Sequence, residues 1–202
     1  MSAIADTRVT LATIFGRLYE NEFATLDGIA LSCRTAEGMD FVDGSTALRL
    51  WLDAPDSEDP ASIEDARAFE LHAACHAAAP SHDTVISGWS RHLRALLVED
   101  FPPPPATSMM RNRGVPDLSA HLVEPASLAG SALDESLALA RRLADENGMR
   151  HHLLITTQGY VVASGSPPYE LMAHWHNVEM AARVECLRVE DAARRREELR
   201  HG

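Results

Sequence analysis

The chain has 202 residues, a formal net charge of −12 and 46% hydrophobic residues. That length fits one domain with a substantial core, and the acidic balance argues against nucleic-acid and anionic-membrane partners, whose charge would repel it. Cys33, Cys75 and Cys186 form no CxxC pair, no apolar run approaches the ~20 residues of a membrane helix, and no secretory leader is visible, so a soluble cytoplasmic protein with reduced thiols is expected.

Residues 9–23 place Leu11, Ile14, Leu18 and Tyr19 near helical spacing and predict an opening helix. Ile29–Arg34 reads as a strand, Ala36-Glu37-Gly38 as a turn, Met39–Val42 as the hairpin partner and Asp43-Gly44 as the next turn. Thr46–Leu52 alternates and predicts another strand, and 53–60 forms an acidic loop. An Ala-rich helix runs from Ala61 through Ala79, ended by Pro80, with Phe69, Ala73 and His76/Ala77 on one side and His72 and His76 at i and i+4. That spacing can serve a shared metal.

Thr84–Ser90 ends a strand, Arg91–Val98 is helical, and Phe101–Ala106, with four prolines, is an extended connection. His121–Pro125 reads as a strand and 131–147 as a helix capped by Ser131 and stopped by Gly148. His151 and His152, adjacent on a strand, point to opposite faces and do not share a metal. Leu153–Ile155 and Tyr160–Val162 form strand segments interrupted at Thr157-Gln158-Gly159. Ser166 caps, and Pro167 opens, a helix whose Leu171, Trp175, Val178 and Ala182 share one face, and which runs into a charged tail over about 190–202.

Leu153–Gly159, followed by a helix carrying Val178-Glu179-Met180-Ala181-Ala182, resembles the C-terminal part of the class II aldolase/adducin family. The resemblance spans nearly the whole chain as a single domain, 1–202. It implies a three-layer α/β/α sandwich with a mostly antiparallel central sheet and a homo-oligomer, by default a tetramer. In the family a strand reading VVHTHS and a later His-Gly supply three zinc ligands. This chain has Ser87, Trp89 and Gln158 at those positions, and Ala68 where the family's acid/base glutamate stands, four residues before His72, which the resemblance implies is a structural hydrogen bonder and not a metal ligand. A hydroxyl and an indole cannot hold Zn²⁺, because tryptophan's nitrogen only donates. The phosphate-binding strand keeps Ser32 and Arg34 but has Ile29-Ala30 in place of Gly-Asn, and Asp43 would repel a phosphate.

No metal and no cofactor are therefore expected. The leading reading is a metal-independent lyase, isomerase or cyclase acting on a carbonyl-bearing, weakly charged small molecule. His92 would be its acid/base, with Ser87 and Gln158 as catalytic hydrogen-bond donors; Arg91 anchors an anion, and Trp89, Tyr160 and Ser32 contact substrate. Two other readings stand beside it. One is a catalytically silent assembly or regulatory subunit whose pocket Trp89 plugs; the other is a relocated metal site built from the ten histidines.

Overall fold

A computed structural model describes residues 3–20, 28–51 and 63–201. The elements in chain order are α1 (Ala3–Glu20), β1 (Ala30–Thr35), β2 (Gly38–Asp43), α2 (Gly44–Trp51), α3 (Ile63–Ala78), β3 (Thr84–Trp89) and α4 (Arg91–Val98). They continue with α5 (Ser108–Asn112), β4 (Leu122–Val123), α6 (Ala132–Asn147), β5 (His151–Thr156), β6 (Tyr160–Gly165) and α7 (Pro168–His201). The expected acidic loop over 53–60 lies outside the described residues.

The strands form one sheet in the order β2-β1-β3-β6-β5-β4, antiparallel throughout except for the β4–β5 pair. Side chains alternate across it. On one side Leu31, Ile86, Leu153, Ile155, Val161 and Ala163 pack with Leu11 and Phe15 of α1, Leu93 of α4 and Trp175 and Val178 of α7. On the other, Val85, Leu154 and Val162 pack with Leu71 and Cys75 of α3 and Leu137 and Ala140 of α6. Helices therefore cover both faces, the expected α/β/α layering with a mostly antiparallel sheet.

Most elements fall where the pattern placed them. The α7 stripe of Leu171, Trp175, Val178 and Ala182 is fully buried, and Gly148 closes α6 in the left-handed conformation at φ 64°. The Thr157–Gly159 break is the tight turn of a β5–β6 hairpin, with Ile155 paired to Val161 and Gly159 at φ 87°.

Four readings are corrected. Residues 46–51 lie in α2: the Asp43 carboxylate accepts from the Thr46 amide at 2.6 Å and the Ser45 hydroxyl at 2.9 Å, satisfying the helix start. The buried face of α3 carries Leu71, His72, Cys75 and His76, and Phe69, Ala73 and Ala77 face outward. The strand expected at 121–125 shrinks to two residues, because Pro125 lacks an amide to continue the ladder and opens a 3-10 turn. Neither serine caps as expected. Ser131 makes no side-chain capping bond, and Ser166 ties down the loop before β3, accepting from the Asp83 amide at 2.7 Å and donating to the Ser81 carbonyl at 3.1 Å.

No described helix is long and apolar enough to cross a membrane, and Cys33, Cys75 and Cys186 are all free.

Candidate functional site

Ser87 and Trp89 lie two residues apart on β3 and so project to the same side of the sheet, toward α3. Tyr160 of β6 pairs with Trp89, and Ser32 of β1 pairs with Val85, which brings both to that side. α3 lies across them and carries His72 and His76 one turn apart, His72 between the two serines and His76 beyond Ser32.

These groups make one continuous line of hydrogen bonds. The Tyr160 phenol contacts Ser87 Oγ at 2.9 Å, and Ser87 Oγ contacts His72 Nε2 at 2.8 Å. His72 Nδ1 contacts Ser32 Oγ at 2.8 Å, and Ser32 Oγ contacts His76 Nε2 at 2.9 Å. Ser32, His72 and Ser87 are completely buried, His76 is nearly so, and Tyr160 is half-buried.

Burial pushes the His72 pKa down to about 3, with the neighbouring His76 adding to the effect. His76 is lowered too, first by burial and then by the Arg34 charge, which the Asp83 carboxylate partly opposes. Both rings are therefore neutral at pH 7. A neutral imidazole has one donor and one acceptor nitrogen, and a hydroxyl can serve either way, so every link of the line can be satisfied in either sense. Arg34 fixes the far end by donating to the carbonyls of His76 and, at 3.3 Å, Ala79. Phe41 sets its ring edge-on to His72 at 5.3 Å and to Phe69 at 5.5 Å.

Trp89 is held from several directions. Its indole lies against Gly28, where a Cβ would come within 2.4 Å of the ring, and φ of 77° independently favours glycine there. The Arg94 guanidinium stands 4.6 Å from the indole centroid, and the Tyr160 ring meets it edge-on at 5.1 Å. The β5–β6 turn packs directly on α4: a Cβ at Gly159 would lie 2.5 Å from the Arg94 Cα.

Four of the residues singled out from the sequence, Ser32, Ser87, Trp89 and Tyr160, thus come together. Gln158 is exposed in the β5–β6 turn and Arg91 is exposed at the start of α4. His92 is set apart, against α7 and on the opposite side of the sheet from Ser87. Its Nδ1 lies 2.5 Å from Glu179 Oε1 and its amide donates to the same oxygen at 3.3 Å. Ser90, whose hydroxyl accepts from the Leu93 amide at 3.2 Å to cap α4, donates to the other carboxylate oxygen. Glu179 is completely buried, so this cluster anchors the first turn of α4 to α7. Two participants escaped sequence reasoning in their actual roles, His76 and Glu179, while His72 is the structural hydrogen bonder the resemblance implied, with the two serines as its partners. The signals were present. His72 and His76 share one helical face, and Glu179 interrupts the apolar stripe next to Val178, which is unusual unless the carboxylate has buried partners.

At the positions the resemblance aligns with zinc ligands, Ser87 is committed to His72 and Tyr160, Trp89 carries only a donor nitrogen, and Gln158 points from an exposed turn. Among the described residues no group of three or more His, Cys, Asp or Glu side chains is arranged to hold a metal ion. An open groove of about 720 Å³ lies elsewhere, between α3 and α6, floored by Ala74, Ala77 and Leu137 and rimmed by Arg141 and Asp145.

No protein-family model matches the sequence, and no curated protein matches it. Solved structures do. An L-fuculose 1-phosphate aldolase superposes with a TM-score of 0.61 at 16% identity, covering 94% of this chain and 88% of that one. YgbL from Klebsiella pneumoniae gives 0.60 at 19% identity, covering 91% and 90%. An aldolase II superfamily protein from Pseudomonas syringae gives 0.57 at 16% identity, covering 95% and 79%. The chain has the class II aldolase fold. Its likeness to these structures runs through almost its full length.

Proposed function

We propose that this chain is a divergent member of the class II aldolase/adducin family and works without zinc, as a lyase or isomerase on a carbonyl-bearing, weakly charged metabolite. The observation that carries the reading is the unbroken line from Tyr160 through Ser87 to His72, in which Ser87 stands at a position where the resemblance puts a zinc ligand. A phenol so supported can donate a hydrogen bond to a substrate carbonyl oxygen and stabilise the enolate that forms when a neighbouring bond to carbon breaks. Tyr160 takes the acid/base role first given to His92, because His92 is committed to Glu179 across the sheet. Trp89 borders the Tyr160 ring with Arg94 against its indole, and these side chains, with Arg91 and Gln158 at the exposed rim, would contact substrate. The weak substrate charge follows from Asp43, whose carboxylate already occupies the start of α2 where a phosphate would otherwise be favoured. A homo-oligomer in the cytoplasm is the arrangement that goes with the family.

The test is a panel of hydroxy-carbonyl compounds offered to chelator-treated protein. Turnover is expected to persist in chelator and to fall about 100-fold or more in Tyr160→Phe, a loss in the ordinary range for an acid/base group. Activity that appears only on adding zinc, or survives Tyr160→Phe intact, overturns the reading.

One observation favours the silent-subunit alternative: Ser87 is fully buried and Trp89 is packed between Gly28 and Arg94. Absence of turnover across the panel, together with a stoichiometric protein partner, would decide for it.

A further inference from the structure

We infer that Tyr160, Ser87, His72, Ser32 and His76 form a proton wire, so that the proton Tyr160 exchanges at the site is supplied and recovered at His76, on the other side of a sealed interior. The inference rests on the proposed reaction for its purpose, but its geometry stands alone. Four links of 2.8–2.9 Å join the five side chains, and the three central ones are shut off from solvent. His72 lies between two hydroxyls that both donate and accept, and His76 ends the line on one of them. No carboxylate interrupts the line, and none of its links is a one-way donor such as lysine or arginine.

The transfer balances atom by atom. Once His76 takes up a second proton, a form that is the minor one at pH 7, Tyr160 gives its hydroxyl proton to the substrate oxygen. The Ser87 hydroxyl proton passes to Tyr160, the His72 Nε2 proton to Ser87, the Ser32 hydroxyl proton to His72 Nδ1, and the His76 Nε2 proton to Ser32. His72 begins and ends neutral, having only exchanged tautomers, and this suits a ring whose burial forbids it a charge. His76 ends neutral with its proton on Nδ1. The reverse sequence lets tyrosinate act as base. His76 is the natural terminus. It is the less deeply buried of the two rings, its buried Nδ1 has no hydrogen-bond partner among the described residues, and a backbone hydrogen bond at His82 and the Asp83 carboxylate oppose the lowering of its pKa. Tyr160 alone would touch substrate; the other four residues are positioning residues that act through it.

The test follows the ionisation of Tyr160 by its ultraviolet difference spectrum, assigned by subtracting Tyr160→Phe from the signals of Tyr19 and Tyr169. Tyrosinate is stabilised when every link turns to donate toward it, so cutting a distant link should be felt at the phenol. Ser87→Ala is expected to raise the Tyr160 midpoint by about one pH unit. Ser32→Ala, which does not touch Tyr160, should raise it by less but in the same direction, and Ser32→Thr, which keeps the hydroxyl, should restore it. An unchanged Tyr160 midpoint in Ser32→Ala overturns the wire, whatever the enzyme catalyses. If Ser32→Ala does not fold, His76→Asn is read in the same way with the same two outcomes. A responding midpoint in a protein with no turnover leaves the wire and removes the reaction class; turnover with an unresponsive midpoint removes the wire and leaves Tyr160 acting by itself.

Discussion

The molecule buries histidines in two places and treats them differently. Beneath α3, His72 and His76 alternate with Ser32 and Ser87, and three of their four ring nitrogens have partners at 2.8–2.9 Å. At the N-terminal end of β5, His121, His151 and His174 crowd together without such spacers. His121 Nδ1 reaches the Leu153 carbonyl at 3.0 Å, but His121 Nε2, His151 Nε2 and both nitrogens of His174 have no hydrogen-bond partner among the described residues. The His151 and His174 rings stand 3.7 Å apart at 48°. Nearby, His82 bonds Ser164 at 3.0 Å and meets the His152 ring at 4.4 Å. Burial lowers the basicity of both sets, His72 to about 3 and His151 to about 4. Burial alone therefore does not make a relay. The interposed hydroxyls do, because each can accept on one side and donate on the other.

The largest expected effect is acid lability shared by both regions. His72 and His151 have folded-state pKa values below the ordinary 6.5, so the unfolded chain binds more protons as pH falls from 6.5 toward 4. Stability is then full above about pH 6.5 and lost on acidification, by on the order of 3 kcal/mol for each such histidine. Two of them suffice to consume much of a typical folding free energy. Urea midpoints measured from pH 7.5 to 4.5 should fall steeply, and a flat profile would mean these rings are not buried neutral.

The next effect separates the two regions. His72→Leu strands the hydroxyls of Ser32 and Ser87 in a dry interior and should cost about 3 kcal/mol in the same assay. His174→Leu removes two nitrogens that have no hydrogen-bond partner among the described residues and should be neutral or stabilising by about 1 kcal/mol. Equal losses at both positions would erase the distinction between a satisfied and an unsatisfied set. The smallest effect is at Ser131, whose hydroxyl makes no capping bond. Ser131→Ala should change stability by less than about 0.5 kcal/mol, against about 1 kcal/mol for Ser90→Ala, which does lose a cap.

Much of the fold could be read before the structure was known, and the reasons are local. α7 was visible because Leu171, Trp175, Val178 and Ala182 recur at helical spacing, and the β5–β6 hairpin because two β-rich runs flank a turn bearing Gly159. α2 was misread because Thr46–Leu52 satisfies a two-residue period almost as well as a helical one. The deciding term was a single side chain, Asp43, folding back onto the Thr46 amide. The site was legible in part. Ser87, Trp89, Tyr160 and Ser32 were singled out and are brought together; His92 was singled out with them but is drawn to the other face by Glu179.

Composition and periodicity by themselves determined the mixed helix-and-strand character and the acidic net charge, while the layering and the positions of an expected metal cage came through the family resemblance. Helix and strand character depends on neighbours within a few positions along the chain. Which histidines bond to which serines was decided only in three dimensions, across separations of 15 to 44 residues. A hydrogen bond needs its donor and acceptor within about 3 Å, and only the packing of α3 on the sheet sets that distance.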